Sequence, residues 1–335
     1  MKHLTLSLLL LAAAACGTDA GDDPLPVTGV YSLSYGPITV LPGMEDTQCM
    51  RLRLDNTEPI KVHQMRNLLS SGSHHLIVYK DDDPKSVETT TPYPCMPFTG
   101  ALNTSGLAAP VMITQRAEDS LTLPDKVAYT FAPNQMIRIE MHFINSTDVP
   151  IEVSATSEFT AVAESRIDHE ANILFIGTPD INMPAGATMD VQTYFTPSRA
   201  SLDLSGAKFF AITGHTHHYG QDVEVSTATS ATGTHTSVYA PTPFVWSEPE
   251  TTAHKPEFTL PAGLQSGFDI KCSYRNTSSQ AVRFGESANN EMCFFWAYYY
   301  PSKGSHVCVH TGYMGLNLDL CCPEAGSLCN MLSQL

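Results

Sequence analysis

Short segments rich in Val, Ile, Thr, Phe and Tyr recur along the chain between Pro, Gly, Asn and Asp residues, and apolar positions rarely repeat at the helical period. The segments run over Gln48–Leu54, Leu76–Lys80, Val127–Phe131, Met136–Ile144, Ile151–Ala155, Lys208–Thr213, Asp222–Val225, Gly267–Tyr274 and Cys293–Tyr300. Many short strands joined by turn residues predict an all-β chain of packed antiparallel sheets. Two stretches echo each other, Met183-Pro184-Ala185-Gly186 ahead of Met189-Asp190-Val191 and Leu260-Pro261-Ala262-Gly263 ahead of Phe268-Asp269-Ile270. Pro followed two residues later by Gly suits a tight turn entering a strand. Charged residues gather from Glu164 to Glu170 between apolar runs, which puts a domain boundary there.

The N-terminus sets the compartment. Met1-Lys2-His3 precedes the apolar run Leu4 to Ala15, which is shorter than the ~20 residues that cross a bilayer and reads as a secretory leader. Ala13-Ala14-Ala15-Cys16-Gly17 resembles the lipobox of bacterial lipoproteins, in which the Cys, here Cys16, becomes the acylated first residue. An ordinary leader cut before an unmodified Cys16 is the alternative, and both export the chain. The expected organisation is a leader over 1–15, a flexible tether over 16–29, domains over 30–166 and 167–303, and a Cys-rich tail over 304–335.

Composition narrows the function. Lys and Arg total 18 against 34 Asp and Glu, a net charge of −16 with no basic run, which argues against nucleic acid as a partner. The only membrane contact expected is the lipid anchor. Nine cysteines less Cys16 leave eight, an even number that in an oxidising compartment reads as up to four disulfides. No CxxC pair has a partner at zinc-finger spacing.

Thirteen histidines are present, of which seven stand alone and read as ordinary surface or core residues. His215-Thr216-His217 follows the apolar run Phe209 to Ile212. In an extended chain residues two apart share a face, so His215 and His217 can converge on one metal while His218 points away. His74-His75 opens the strand Leu76 to Lys80, and His142 lies within Met136–Ile144. Alternation puts neighbouring residues on opposite faces, so His74 and His75 can share a metal only through a bulge or at a strand end.

Taken in order, Pro42 to Met50, His74-His75, His142, His215 to His218 and Glu291-Met292-Cys293 resemble the copper type II, ascorbate-dependent monooxygenases, which include the peptidylglycine- and dopamine-hydroxylating enzymes. The likeness extends from Pro42 to Pro301. It implies two tandem jelly-roll-like antiparallel β-sandwiches, each holding one copper, and the four cysteines beyond Lys303 read on their own as a disulfide-stapled, Cys-rich C-terminal extension. His74, His75 and His142 match the ligands of the electron-transfer copper, and His215, His217 and Met292 those of the copper that binds oxygen and substrate. Imidazole with thioether independently suits a metal cycling between Cu(II) and Cu(I). The resemblance also implies bridges Cys49–Cys95 and Cys272–Cys293. A further family bridge has no cysteine here near Lys208, which leaves Cys308, Cys321, Cys322 and Cys329 to pair among themselves or stay partly free.

The departures fall at the substrate. The amidating branch has a carboxylate-binding Arg where this chain has Thr213, and the Asn, Tyr and Met after its Met-Cys pair become Phe294, Trp296 and Tyr298. Glu140 stands where the amidating enzyme has Gln, as in the dopamine-hydroxylating branch. Period two puts Phe294, Trp296 and Tyr298 on the face of Met292, an aromatic wall suited to apolar, aromatic or cationic compounds. The reading is an exported monooxygenase that hydroxylates a C–H bond of a small apolar or aromatic substrate with O₂ and ascorbate or an equivalent reductant. The alternatives are a copper-scavenging surface protein without turnover and a structural adhesin with incidental histidines.

Overall fold

A computed structural model describes residues 25–95, 108–285, 287–312, 316–326 and 329. The leader, Cys16 and most of the tether lie outside the described residues. The N-terminal half forms β1 (Val27–Val40), β2 (Glu45–Arg53), β3 (Ile60–Leu69), β4 (Ser73–Asp81), β5 (Thr89–Pro94), β6 (Ala108–Thr114), β7 (Glu118–Thr122), β8 (Val127–Phe131), β9 (Met136–Ile144), β10 (Ile151–Val162) and β11 (His169–Glu170). One sheet runs β1-β10-β3-β8-β11 with β7 also on β3, and its partner runs β5-β2-β9-β4-β6. The C-terminal half forms β12 (Asn172–Thr178), β13 (Asn182–Met183), β14 (Thr188–Phe195), β15 (Lys208–His215), β16 (Gly220–Ala228), β17 (His235–Tyr239), β18 (Thr252–Phe258), β19 (Gly267–Arg275), β20 (Val282–Arg283), β21 (Cys293–Tyr300), β22 (His306–Thr311) and β23 (Leu318–Cys322). Its sheets run β18-β15-β21-β12-β22-β23 and β14-β19-β16-β17, with a small β13-β20 ribbon. The chain is therefore all-β, two tandem sandwiches.

Alternation explains how each sandwich carries chemistry. On β9, Ile137, Ile139, Met141 and Phe143 fill the N-terminal core, which turns Arg138, Glu140 and His142 to the other face. On β21, Cys293, Phe295, Ala297 and Tyr299 fill the C-terminal core, while Phe294, Trp296, Tyr298 and Tyr300 join the core that includes the N-terminal sandwich. Ile173 and Phe175 of β12 divide from Leu174 and Ile176 in the same way. The seam between the sandwiches is thus an apolar core rich in rings. Full burial of one such side chain is worth roughly 1.5–3 kcal/mol, and a large apolar interface holds two domains in one relative position. The two echoing segments lead into β14 and β19, which pair antiparallel as neighbours, and Gly186 takes the positive φ its turn requires.

Three boundaries differ from the expectation. β1 begins at Val27, inside the expected tether. His169 and Glu170 pair in parallel with β8, so the first sandwich extends four residues beyond 166. Glu170 anchors it there by accepting the Thr130 backbone N–H at 2.7 Å. The Cys-rich extension begins within the C-terminal sandwich. β22 lies beside β12 and β23 closes the sheet edge, because Val307 and Val309 are needed in one core and Cys308 and Cys321 in the other. The disulfides are Cys49–Cys95, Cys272–Cys293, Cys308–Cys321 and Cys322–Cys329.

Candidate metal centre

In the N-terminal sandwich β4 and β9 are neighbours, and His75 stands opposite His142. The register shifts between Ser73 and His75, and this bulge removes the alternation that would have sent His74 to the opposite face. Ligand atoms of His74, His75 and His142 come within 4.8 Å of one another, all three residues buried. Glu45 accepts a hydrogen bond from His142 Nε2 at 3.0 Å, which leaves Nδ1 for a metal. That bond, chiefly, holds the Glu45 carboxyl down at about 2. Burial, then the charges of His142 and His217, lowers His74 to about 3, and burial lowers His75 well below the ordinary range. The histidines whose shift is resolved are thus neutral, as ligands must be. Among the described residues His74 Nε2 is buried with no hydrogen-bond partner. Crowded neutral imidazoles with an orphaned nitrogen fit a coordinated metal.

In the C-terminal sandwich β15 ends at His215, and His217 follows two residues later, ahead of the turn at His218. The two rings sit 5.1 Å apart, nearly perpendicular. His215 Nδ1 bonds Gln115 Oε1 at 2.9 Å and His217 Nδ1 meets the Asn290 carbonyl at 3.3 Å, so both turn Nε2 inward. Glu291 ties this segment to Met292. Its carboxylate accepts backbone N–H bonds from His217 at 2.8 Å, Tyr219 at 2.6 Å and Met292 at 3.3 Å. Burial pushes Glu291 up to about 7 although these donors pull it down. Met292 is buried, its carbonyl accepts the Tyr274 hydroxyl at 2.7 Å, and the Cys272–Cys293 bridge follows it directly. Two imidazoles, with a thioether where Met292 joins them, would suit copper in both oxidation states.

The sets face each other across the seam, with the rings of His74 and His217 6.2 Å apart. Half-buried Trp246 stands beside this contact, 5.8 Å from His74 and 6.0 Å from His218. His218 is exposed, its ring against Tyr219 and its Nδ1 at the Ala288 carbonyl. Lone histidines are held by other contacts, His63 at the Val127 carbonyl and His310 at Asp319 among them.

Thr213 is buried and bonds Thr251 through the two hydroxyls at 2.8 Å, and so offers no cation. Phe294, Trp296 and Tyr298 share the face of Met292, yet the N-terminal sandwich covers them, leaving 4%, 1% and 2% of their surfaces exposed. They are packing of the seam before they are a pocket wall: alternation fixes the face, not what lies against it. Tyr298 accepts the Ile113 N–H across the seam at 3.1 Å, and Trp296 comes 6.0 Å from His215. Glu140 accepts the Tyr79 hydroxyl at 3.0 Å, fully buried.

Four residues had no role in the sequence reading. Glu45 and Glu291 lie inside the runs that carry the resemblance, and the place of Glu291 beside the ligand position Met292 was a usable signal. Trp246 is one of only two tryptophans. Gln115, polar at the end of an apolar strand, gives no signal at all.

No curated protein matches the chain. Among solved structures, the major capsid protein P2 of bacteriophage PM2 is 10% identical over 82% of this chain and 100% of its own, with a TM-score of 0.36. The cowpea mosaic virus top component is 8% identical over 88% and 98%, with a TM-score of 0.29. The fold therefore rests on the sheets themselves. Residues 169–317, which contain His215, His217 and Met292, match the family model described as copper type II ascorbate-dependent monooxygenase, C-terminal domain, and this match supports a place for the chain in that family.

Proposed function

We propose that the chain is an exported copper-dependent monooxygenase, anchored through a lipid on Cys16, that hydroxylates a C–H bond of a small apolar or aromatic compound. The observation that carries the proposal is the apposition of the buried cluster His74, His75 and His142 to the buried pair His215 and His217, with buried Met292 tied to His217 through Glu291. Copper held there supplies the electron transfer and O₂ chemistry that place one oxygen atom in the substrate and release the other as water, with ascorbate or a similar reductant as electron donor. The chain's own residues do the positioning. Glu45 and Gln115 fix ring orientation, Glu291 fixes the spacing of Met292 from His217, and the aromatic seam excludes water from both sets. Half-exposed Trp246, beside His74, is the ring placed to meet an aromatic or cationic substrate.

One observation favours a second reading, a copper-binding protein without turnover: the expected aromatic wall is packed into the seam. Copper analysis of the whole chain, followed by O₂ uptake with ascorbate across aromatic amines, neutral aromatics and a glycine-extended peptide, separates the two. The expected outcome is two coppers and substrate-dependent uptake with the aromatic compounds. Two coppers without substrate-dependent uptake would leave the carrier; one copper or none would refute both.

A further inference from the structure

Gln115 belongs to the N-terminal sandwich. It follows β6, which pairs with β4, the strand of His74 and His75, and the last pair there is Leu76 with Thr114. The segment is fixed on both sides. The Asn67 amide donates to the Thr114 hydroxyl at 2.8 Å, and the Ile113 N–H reaches Tyr298 across the seam. From that position Gln115 Oε1 meets His215 Nδ1, a residue of the other sandwich, at 2.9 Å, with both residues buried. The chemistry of the contact has one sense. For His215 Nε2 to present a lone pair to a metal, the proton must sit on Nδ1, so the partner there must be an acceptor. The amide oxygen is an acceptor. Among the described residues Gln115 Nε2 is buried without a hydrogen-bond partner, so the bond to His215 is the one side-chain contact these residues give the amide.

We propose that Gln115 is the positioning residue of the C-terminal metal set, fixing His215 as an Nε2 ligand, and that this set is therefore completed by the opposite sandwich. The inference rests on the copper reading above. His142 has its carboxylate partner, Glu45, within its own sandwich, whereas His215 borrows a neutral partner from across the seam.

The test uses the whole chain, with copper titrated against a competing chelator and followed by Cu(II) electron paramagnetic resonance, in wild type, Gln115→Leu and Gln115→Glu. Loss of an outer partner typically weakens metal binding ~10–100-fold. Gln115→Leu is expected to weaken one copper by that factor, change its spectrum and leave the other copper unaltered. Gln115→Glu restores an acceptor, so it should recover the affinity while lowering that copper's reduction potential, which a purely structural role would not do. Gln115→Leu binding two coppers with wild-type affinity and spectrum would overturn the proposal. So would equal weakening of both coppers in both variants, which would make Gln115 packing alone. Wild type that takes up no copper sensitive to His215→Ala would overturn the copper reading itself, and this proposal with it.

Discussion

The two donor sets are built by different means. The N-terminal set comes from neighbouring strands of one sheet, with His75 opposite His142, a bulge delivering His74, and Glu45 at hand on the adjacent β2. Hydrogen-bond pairing places its ligands. The C-terminal set comes from a strand end, the residue two beyond it, and Met292 at the mouth of another strand, joined by one buried carboxylate and one borrowed amide. The first should survive damage to its surroundings, and the second should not. Two buried sets on similar sandwiches can therefore differ in how firmly they are held because they differ in who supplies the supports.

The strongest break of this comparison is Glu291→Leu. It leaves three buried N–H groups, of His217, Tyr219 and Met292, without an acceptor, at roughly 1–3 kcal/mol each. Urea unfolding of the metal-free chain should show the loss, and copper analysis should show one copper gone and the N-terminal one kept. Equal loss of both coppers would erase the distinction.

Much of what makes the sets differ was invisible along the chain. Alternation gives β8, β9 and β21 at their observed bounds, because each is strongly apolar and ends in turn residues. β3 is missed because Lys61, His63, Gln64, Arg66 and Asn67 dilute its pattern, although Val62 and Met65 are core. The same rule that pairs His215 with His217 separates His74 from His75, and only a bulge, which has no composition of its own, reunites them. The burial of Phe294, Trp296 and Tyr298 depends on which surface docks against β21, a fact of tertiary structure that period two does not contain.

A smaller effect sharpens the contrast through the disulfides. Opening either Cys49–Cys95 or Cys272–Cys293 should cost about 2–5 kcal/mol. Only the second staples the residue next to a ligand, so Cys272→Ser with Cys293→Ser should also weaken Cu(I) binding, read by competition with a Cu(I) chelator. Matching copper affinities in the two double variants would contradict this. The smallest effect is Met292→Ile, which keeps an apolar side chain of similar bulk and removes only sulfur. Cu(I) at the C-terminal set should weaken on the order of tenfold, ~1.4 kcal/mol, with Cu(II) at the other set unchanged and the sulfur contribution lost from X-ray absorption.

The placement of the two tryptophans has an optical consequence. Each stands within about one ring's width of a different donor set, Trp246 5.8 Å from His74 and Trp296 6.0 Å from His215, and the chain has no others. Trp296 is sealed in the apolar seam, whereas Trp246 is half exposed, so their emission should differ in colour as their surroundings differ in polarity. A paramagnetic ion arriving at either set darkens the nearer ring first. Copper binding should therefore be readable as a two-colour loss of emission, with the bluer band reporting the set that holds His215 and the redder band the set that holds His74.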